Sequence, residues 1–306
     1  DANIVLWSVS RGEQIGTLDG HYRSLSALAF SPDGKILATG GFDHYLRLYS
    51  TESKTIIRAL KGAEGCIKSI DFSPDGEMVA AGCEDKSIRL WSVDSSYLLY
   101  TIEGFNPSGL QKFLGKLKKQ KNGAGKGHEC CVSSIAFRPD GLRIATGCMD
   151  KTVKMWAAKT GDLKCTLKGH KHPVNAVAFS HDNKLLASGS IEDPERMKGP
   201  HKPAPSNDKT IILWDAHTGA TIRVLESRSY DTFSLSFSAD NTLLASGGWD
   251  YTNNRNTIRL WSVESGELVR PFDGHNAKIM SIDFSPNGRL LVSGGDDKSV
   301  KVWRVE

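Results

Sequence analysis

Several features that would assign a protein directly to a class are missing from this sequence. It has no apolar run long enough to cross a bilayer, no Cys-x-x-Cys pair and no Asn-x-Ser/Thr acceptor. Gly109–Lys116 and Gly123–Lys126 contain Gly and Lys, but neither has the spacing of a phosphate-binding loop or a Ser/Thr after the Lys. The sequence therefore argues against a transmembrane helix, a zinc ribbon and a P-loop nucleotidase, and weakly against secretion.

Cysteine is sparse, with six residues in the chain. We interpret the cysteines as small apolar filler in the reduced form, which predicts a cytoplasmic or nuclear protein. A metal site built from His128, Cys130, Cys131 and Cys148 is the alternative. Neighbouring residues of a strand point to opposite faces and the usual ligand spacing is absent, so we expect neither a metal nor a cofactor.

A repeated unit dominates what is present. Six times an Asp stands six residues before an aromatic residue, and in a seventh copy the two are eleven apart. Trp7, Tyr49 and Trp91 follow one another at intervals of 42 residues, and the longer intervals further along the chain match insertions. These insertions are residues 105–127, 191–206 and 251–256. A fixed period interrupted only by insertions indicates one supersecondary unit used seven times.

Each unit reads as short strands. Residues 279–284 alternate polar and apolar side chains, which is the two-residue period of a half-buried strand. Ser285-Pro286-Asn287-Gly288 follows and predicts a tight reversal, because Pro presets the backbone of a turn and Gly tolerates its exit. Apolar spacings of three and four, typical of helical repeats, are absent, so the pattern predicts an all-β fold.

The Gly-His start, the Ser-Pro-Asp-Gly turn, the Asp and the Trp together resemble the WD-repeat β-propeller family. Only Trp214-Asp215 keeps the literal Trp-Asp pair. The resemblance covers nearly the whole chain except the insertions. It implies a ring of four-stranded blades that acts as a non-catalytic scaffold for protein-protein interaction.

The chain begins at Asp1, which already occupies the anchor position of a repeat. We therefore expect residues 1–306 to form a single propeller domain that is a fragment or a cut domain. The favoured architecture is a β-propeller of seven four-stranded blades, of which the first and last are incomplete. The alternative is a six-bladed ring in which Glu13–Leu18 is the outer strand of the last blade. Closing the ring would remove exposed sheet edges.

The resemblance also implies hydrogen-bonded sets of His, Ser or Thr, Asp and Trp. The four sets are His21, Thr39, Asp43 and Tyr49; His128, Thr146, Asp150 and Trp156; His170, Ser188, Asp208 and Trp214; and His275, Ser293, Asp297 and Trp303. Four copies argue for structure, since a hydrolase needs one activated site with its oxyanion donors. In the unit of Asp85, Ala63 and Ala81 replace the His and the hydroxyl, and we expect that unit to open more readily.

The first insertion is basic and contains no acidic residue. Its lysines are Lys112, Lys116, Lys118, Lys119, Lys121 and Lys126. Leu110, Phe113, Leu114 and Leu117 fall at helical spacing, so a short amphipathic helix is predicted. A partner protein could accept it, and nucleic acid or an acidic membrane surface less readily. The competing interpretation is a solvated loop.

The insertions connect strands four and one or strands two and three, and in an up-and-down blade both connections emerge on one face, here called the top face. Divergent loops confined to one face are typical of the binding face of a repeat protein. Aromatic residues, Met and Arg are enriched at interface centres, so we expect a protein or peptide partner there and no small-molecule substrate. The candidate contacts are Tyr22, Arg23, Phe42, Met149, Lys171, His172, Tyr230 and Trp249. The alternative function is a sensor or regulatory domain of a larger ATPase or kinase.

Overall fold

The computed structural model describes residues 2–61, 64–104, 127–193, 209–228, 230–250 and 256–305. Within these ranges every regular element is a strand, and no helix could cross a bilayer. The strands are β1 Ile4–Ser8, β2 Glu13–Leu18, β3 Leu25–Phe30, β4 Ile36–Gly41, β5 Leu46–Ser50, β6 Ile56–Leu60, β7 Ile67–Phe72, β8 Met78–Cys83, β9 Ile88–Ser92, β10 Leu98–Ile102, β11 Val132–Phe137, β12 Arg143–Cys148, β13 Thr152–Ala157, β14 Leu163–Lys168, β15 Val174–Phe179, β16 Leu185–Ser190, β17 Lys209–Asp215, β18 Thr221–Arg228, β19 Tyr230–Phe237, β20 Leu243–Asp250, β21 Asn256–Ser262, β22 Leu268–His275, β23 Ile279–Phe284, β24 Leu290–Gly295 and β25 Val300–Arg304.

The strands form up-and-down sheets in chain order. Five sheets have four strands each, running from β3–β6 to β19–β22, while β1–β2 is a two-stranded ribbon and β23–β25 has three strands. The strand pairs are antiparallel, as in β4 with β5, where Leu37 lies opposite Tyr49. The all-β prediction is therefore confirmed.

The seven-blade expectation is not supported. Sheets of three or more strands number six among the described residues, which fits the six-blade alternative. The first repeat supplies only β1 and β2, because the two strands that precede an anchor Asp in the other repeats are not part of it. One detail of the six-blade alternative is not seen. It made Glu13–Leu18 the outer strand of the last blade, whereas in the structure this strand, β2, pairs with β1.

Two compact units make up the chain. The first contains residues 1–146 and 155–164, and the second contains residues 147–154 and 165–306. In the first unit, Leu46 and Leu48 of β5 share a core with Ile67 and Phe72 of β7. In the second unit, Leu213 of β17 and Phe237 of β19 belong to one buried apolar core. Each sheet thus buries an apolar face against the next sheet of its unit.

Small residues at the end of the second strand permit this close packing in several sheets. A side-chain carbon added to Gly40 would lie 2.7 Å from Ile67 of the next sheet, and one added to Gly247 would lie 2.8 Å from Ile279. Real carbon atoms do not approach so closely, so a larger residue at either position would force the sheets apart. The recurring Gly-Gly of the sequence is a packing feature.

The turn between the first and second strands has nearly the same structure from repeat to repeat. In the first, the Ser31 hydroxyl donates to Asp33 Oδ1 at 2.6 Å, which also accepts the Lys35 N–H at 3.0 Å. Gly34 then adopts a φ of 71°. Equivalent Ser-to-Asp or Ser-to-Asn bonds recur at Ser180, Ser238 and Ser285. This end of each sheet is therefore uniform.

Most of the three insertions lies outside the described residues, which exclude 105–126, 194–208 and 251–255. The basic lysines and the amphipathic helix predicted for residues 105–127 belong to that part. The strand order still fixes what the insertions connect: 105–126 join β10 to β11, 194–208 join β16 to β17, and 251–255 join β20 to β21.

Candidate partner-binding face

At the top face, the anchor Asp builds the turn between the second and third strands. Asp43 Oδ1 accepts the Tyr45 N–H at 3.2 Å, and Asp297 Oδ1 accepts the Ser299 N–H at 3.1 Å. The intervening residues, His44 and Lys298, adopt φ values of 67° and 62°. Residues other than glycine rarely adopt this left-handed backbone conformation. The hydrogen bonds of the Asp carboxylate therefore stabilise a turn that the residue type alone would not favour.

The set around His275 shows the complete hydrogen-bond network. The imidazole Nδ1 lies 2.9 Å from Asp297 Oδ2, and Nε2 lies 2.7 Å from Ser293 Oγ. The indole N–H of Trp303 donates to the same hydroxyl at 2.8 Å. A proton on Nδ1 lets the imidazole donate to the carboxylate and accept from Ser293, so every polar atom of the set is satisfied.

The other sets share this geometry with local differences. His128 and Trp156 both bond the Thr146 hydroxyl, at 2.7 and 2.9 Å. His170 and Trp214 both bond Ser188 Oγ at 2.7 Å, while Asp208 lies outside the described residues. Around His21, Nε2 bonds Thr39 at 2.8 Å and Nδ1 bonds Asp43 at 2.9 Å, but the Tyr49 hydroxyl donates to the Asp19 carbonyl at 3.1 Å.

Burial makes these sets structural. The Ser188 hydroxyl is completely buried and already bonded to two side chains, so a substrate carbonyl cannot reach it in the folded state. Burial also lowers the pKa of His170 to about 4, with a smaller contribution from His172. The imidazole is therefore neutral near pH 7, as a buried hydrogen-bonded group should be.

In the repeat that lacks the His and the hydroxyl, the anchor carboxylate still has an arginine partner, as Asp43 has Arg47 beside His21. Arg89 lies 2.7 Å from Asp85, and the Trp91 indole donates to the Lys61 carbonyl at 3.3 Å. The Arg four residues after the Asp was a readable signal that the sequence interpretation missed. Ala63, which replaces the His, lies outside the described residues.

Three predicted contact residues of the first unit line one shallow concavity at its top face. Tyr22, Arg23 and Phe42 border this open depression of about 500 Å³, together with Asp43, His44, Tyr45 and Lys61. Tyr22 is 67% exposed and Phe42 is 39% exposed, so this depression presents two large rings to solvent together. We call these seven residues the Phe42 concavity.

Cations surround the aromatic rings of the Phe42 concavity. The Lys68 ammonium lies 4.5 Å from the centre of the Phe42 ring, and Lys61 lies 5.7 Å from the centre of the Tyr45 ring. The Arg47 guanidinium covers Tyr45 at 4.8 Å. Of these residues only Phe42 was predicted as a contact. Tyr45, in the same loop, was overlooked, and Lys61 and Lys68 were missed because they lie after β6 and in β7.

The predicted contacts of the second unit fall into two groups. Lys171 is exposed, and Met149 and Trp249 are half-buried, so all three present surface. His172 and Tyr230 are buried, and the expectation that their side chains contact a partner needs correction. Tyr230 is 0% exposed, because it begins strand β19 and its hydroxyl donates to the Thr257 carbonyl at 2.5 Å while Arg259 stacks on its ring at 4.1 Å.

A buried ion network at the ends of the second insertion was also missed. The Lys209 ammonium is 0% exposed and lies 3.0 Å from Asp231 and 3.4 Å from Glu192. The Glu192 N–H donates to Asp231 Oδ1 at 2.7 Å. Glu192 lies at the start of the insertion and Lys209 follows its end, so this network connects both ends of the insertion to Asp231 of β19. The balanced charge of the insertion gave no sign of it.

The thiols differ in burial. None of the six cysteines forms a disulfide; Cys66, Cys83 and Cys148 are buried, as small apolar filler would be, whereas Cys130 is exposed. Burial raises the pKa of Cys83 and of Cys131 to about 11. Both thiols are therefore protonated near pH 7, which makes them poor nucleophiles.

Comparison with known proteins places the repeats in a family. Residues 12–50, 54–92, 119–157, 161–215, 219–262 and 266–304 match the family described as "WD domain, G-beta repeat" (WD40). The chain is a WD40-repeat protein. A chain of the "Crystal Structure of Mitotic Checkpoint Complex" shares the fold with a TM-score of 0.79 and 23% identity, covering 99% of this chain and 82% of that one.

Curated relatives of this WD40-repeat protein have diverse names. It is 30% identical over 153 residues to "Nuclear distribution protein nudF" of Aspergillus niger, covering 40% of this chain and 34% of the relative. It is 24% identical over 267 residues to "Pre-mRNA-processing factor 19" of Oryza sativa subsp. japonica, covering 82% and 41%. It is 33% identical over 131 residues to "Small ribosomal subunit protein RACK1y" of the same species, covering 42% and 34%. The chain thus spans less than half the length of these relatives.

Proposed function

We propose that this WD40-repeat protein is a non-catalytic interaction scaffold that holds a protein or peptide partner on its top face. One observation carries the proposal: the Phe42 concavity exposes Tyr22 and Phe42 where the loops differ from repeat to repeat, while the opposite turns are uniform. Exposed aromatic side chains beside cations are typical of interface centres.

The burial of the His-containing sets supports a scaffold over a hydrolase, since their hydroxyls are committed to internal hydrogen bonds. The names of the relatives, which include a ribosomal subunit protein and a pre-mRNA-processing factor, agree with a role inside larger assemblies. Together with cysteines that form no disulfide among the described residues, these names favour a cytoplasmic or nuclear location.

Affinity capture with matched variants tests the proposal. The purified protein, a Tyr22→Ala/Phe42→Ala variant and a Tyr97→Ala variant would each be used to retain proteins from a cell extract. Tyr97 is 77% exposed and lies in the hairpin between β9 and β10, at the opposite end of its sheet from the Phe42 concavity. We expect the double variant alone to lose the retained partners.

The proposal would be wrong if all three proteins retained the same partners at equal levels, or if Tyr97→Ala had the larger effect. For the second unit, Trp249→Ala is the corresponding test, since Trp249 is half-buried and carries Lys278 at 5.7 Å from its ring centre. Unchanged binding of every partner by Trp249→Ala would remove Trp249 from the candidate contacts.

A further inference from the structure

The Phe42 concavity has an uneven charge. Asp43 supplies the one carboxylate among its lining residues. That carboxylate is buried, lies 2.6 Å from Arg47 and 2.9 Å from His21, and accepts the Tyr45 N–H. Burial alone would raise the pKa of Asp43, but the hydrogen bonds from His21, Tyr45 and Arg47 together lower it. Its charge is thus satisfied inside the protein.

The exposed charges of the Phe42 concavity are positive. Arg23 and Lys61 are exposed, and Lys68 is partly exposed beside the Phe42 ring. The nearest acid to Lys68 is Glu84, at 4.0 Å, which is the outer limit of an ion pair, and Glu84 is itself about half exposed. A ligand that enters this site therefore meets three aromatic rings and two exposed cationic side chains of the lining, Arg23 and Lys61. A third cation, Lys68, stands beside the Phe42 ring.

The neighbouring repeat provides an internal comparison, because the first two complete repeats are offset by 42 residues without a gap. At the positions of Tyr22, Phe42 and Lys61, the next repeat has three acids. They are Glu64, Glu84 and Glu103. The backbone plan is the same, so the aromatic and cationic set is not a requirement of the fold. The loops of the Phe42 concavity are therefore positively charged, whereas the equivalent loops of the next repeat are negatively charged.

We propose that the Phe42 concavity binds an acidic peptide segment, one that carries Asp or Glu side chains around a bulky apolar residue. This inference rests on the proposed function and adds to it the class of partner. The carboxylates would pair with Arg23, Lys61 and Lys68, and the apolar side chain would pack on Tyr22 and Phe42. Charge complementarity of this kind selects partners and accelerates association more than it adds affinity.

Peptide display on the purified protein tests this directly. A random dodecapeptide library would be selected on the immobilised chain, and an enriched peptide, labelled with fluorescein, would be titrated by fluorescence anisotropy. The two test variants, Phe42→Glu and Lys61→Glu, copy the side chains of Glu84 and Glu103, which the same backbone accepts one repeat later. Lys35→Glu, whose side chain is 82% exposed in the uniform turn of the same sheet, is the matched control.

We expect enriched peptides to be acidic with at least one large apolar residue. Each test variant should weaken binding by about tenfold or more, whereas Lys35→Glu should change it by less than about twofold. Affinity should also fall as salt rises, because the exposed charges are screened.

The possible failures have different meanings. If neutral or basic peptides are enriched and the test variants weaken them, the top face binds peptides but the acidic assignment is wrong. Acidic peptides that bind the test variants and the wild-type protein equally would show that the Phe42 concavity is not their site. If no peptide is enriched, the proposed function itself fails. Thermal unfolding of each variant shows whether lost binding reflects lost folding.

Discussion

Replacing Ser188 by alanine tests whether the His-containing sets hold the fold together. The Ser188 hydroxyl bonds both His170 and Trp214 at 2.7 Å, and all three side chains are buried. The substitution removes one acceptor and one donor and leaves two buried polar groups without a partner. Each such group costs about 1–3 kcal/mol, so for two groups we expect a loss of roughly 2–6 kcal/mol in the free energy of unfolding.

Urea unfolding followed by circular dichroism measures this loss, and a double-mutant cycle sharpens it. The repeat of Trp91 carries Ala63 and Ala81 in place of the His and the hydroxyl, so it already has the composition of the double variant. In a His170→Ala background, Ser188→Ala should therefore cost about 1 kcal/mol less than alone, because one of the two orphaned groups is gone. A cost below about 0.5 kcal/mol in the wild-type background would refute the reasoning.

Three further predictions follow from buried and strained groups. The pKa of His170 is about 4 in the folded state and about 6.5 in the unfolded state, so on acidification the unfolded state binds the proton first. The free energy of unfolding should therefore fall by about 3 kcal/mol between pH 6.5 and pH 4. His170→Gln should remove this part of the pH dependence of Tm, and an unchanged slope would contradict the prediction. Lys209→Met removes the cation that faces the buried carboxylates of Glu192 and Asp231, so urea unfolding should show a loss of about 3–5 kcal/mol in the free energy of unfolding. A loss below about 1 kcal/mol would show that the fold does not need the network. Lys298→Gly relieves a φ of 62° at an exposed turn and should raise Tm, with a gain of up to about 1 kcal/mol, whereas a lower Tm would mean that the turn is not strained.

The fold could be predicted in large part because its signals are local. The alternation of residues 279–284 and the turn at Ser285 recur as β23 and the bonded Ser285–Asn287 pair. The number of blades could not be predicted, because the 42-residue period counts anchor residues and not the strands that pair around them. The first repeat contains an anchor but contributes only β1 and β2.

The candidate site was predicted less completely, because contacts between loops distant in sequence decide it. Tyr22 and Phe42 were identified by their type and position, and both are exposed. Tyr230 has the same chemistry and a similar position, yet Arg259 covers its ring and buries it. Lys209, which follows the second insertion, drew no prediction from the sequence but is the buried centre of an ion network. In these cases a residue from another segment of the chain determines how exposed the side chain is, and the local sequence pattern does not indicate that contact.

Site-specific cross-linking tests most directly the central claim that a peptide partner binds in the Phe42 concavity. Photoreactive benzoylphenylalanine would replace either Tyr22 or Tyr97, two exposed tyrosines of the first unit at opposite ends of their sheets. Each protein would be irradiated with the peptide enriched by display, and the adducts would be mapped by mass spectrometry. Binding in the Phe42 concavity predicts cross-links from position 22 and none from position 97. Cross-links from position 97 alone, or equal yields from both positions, would contradict it.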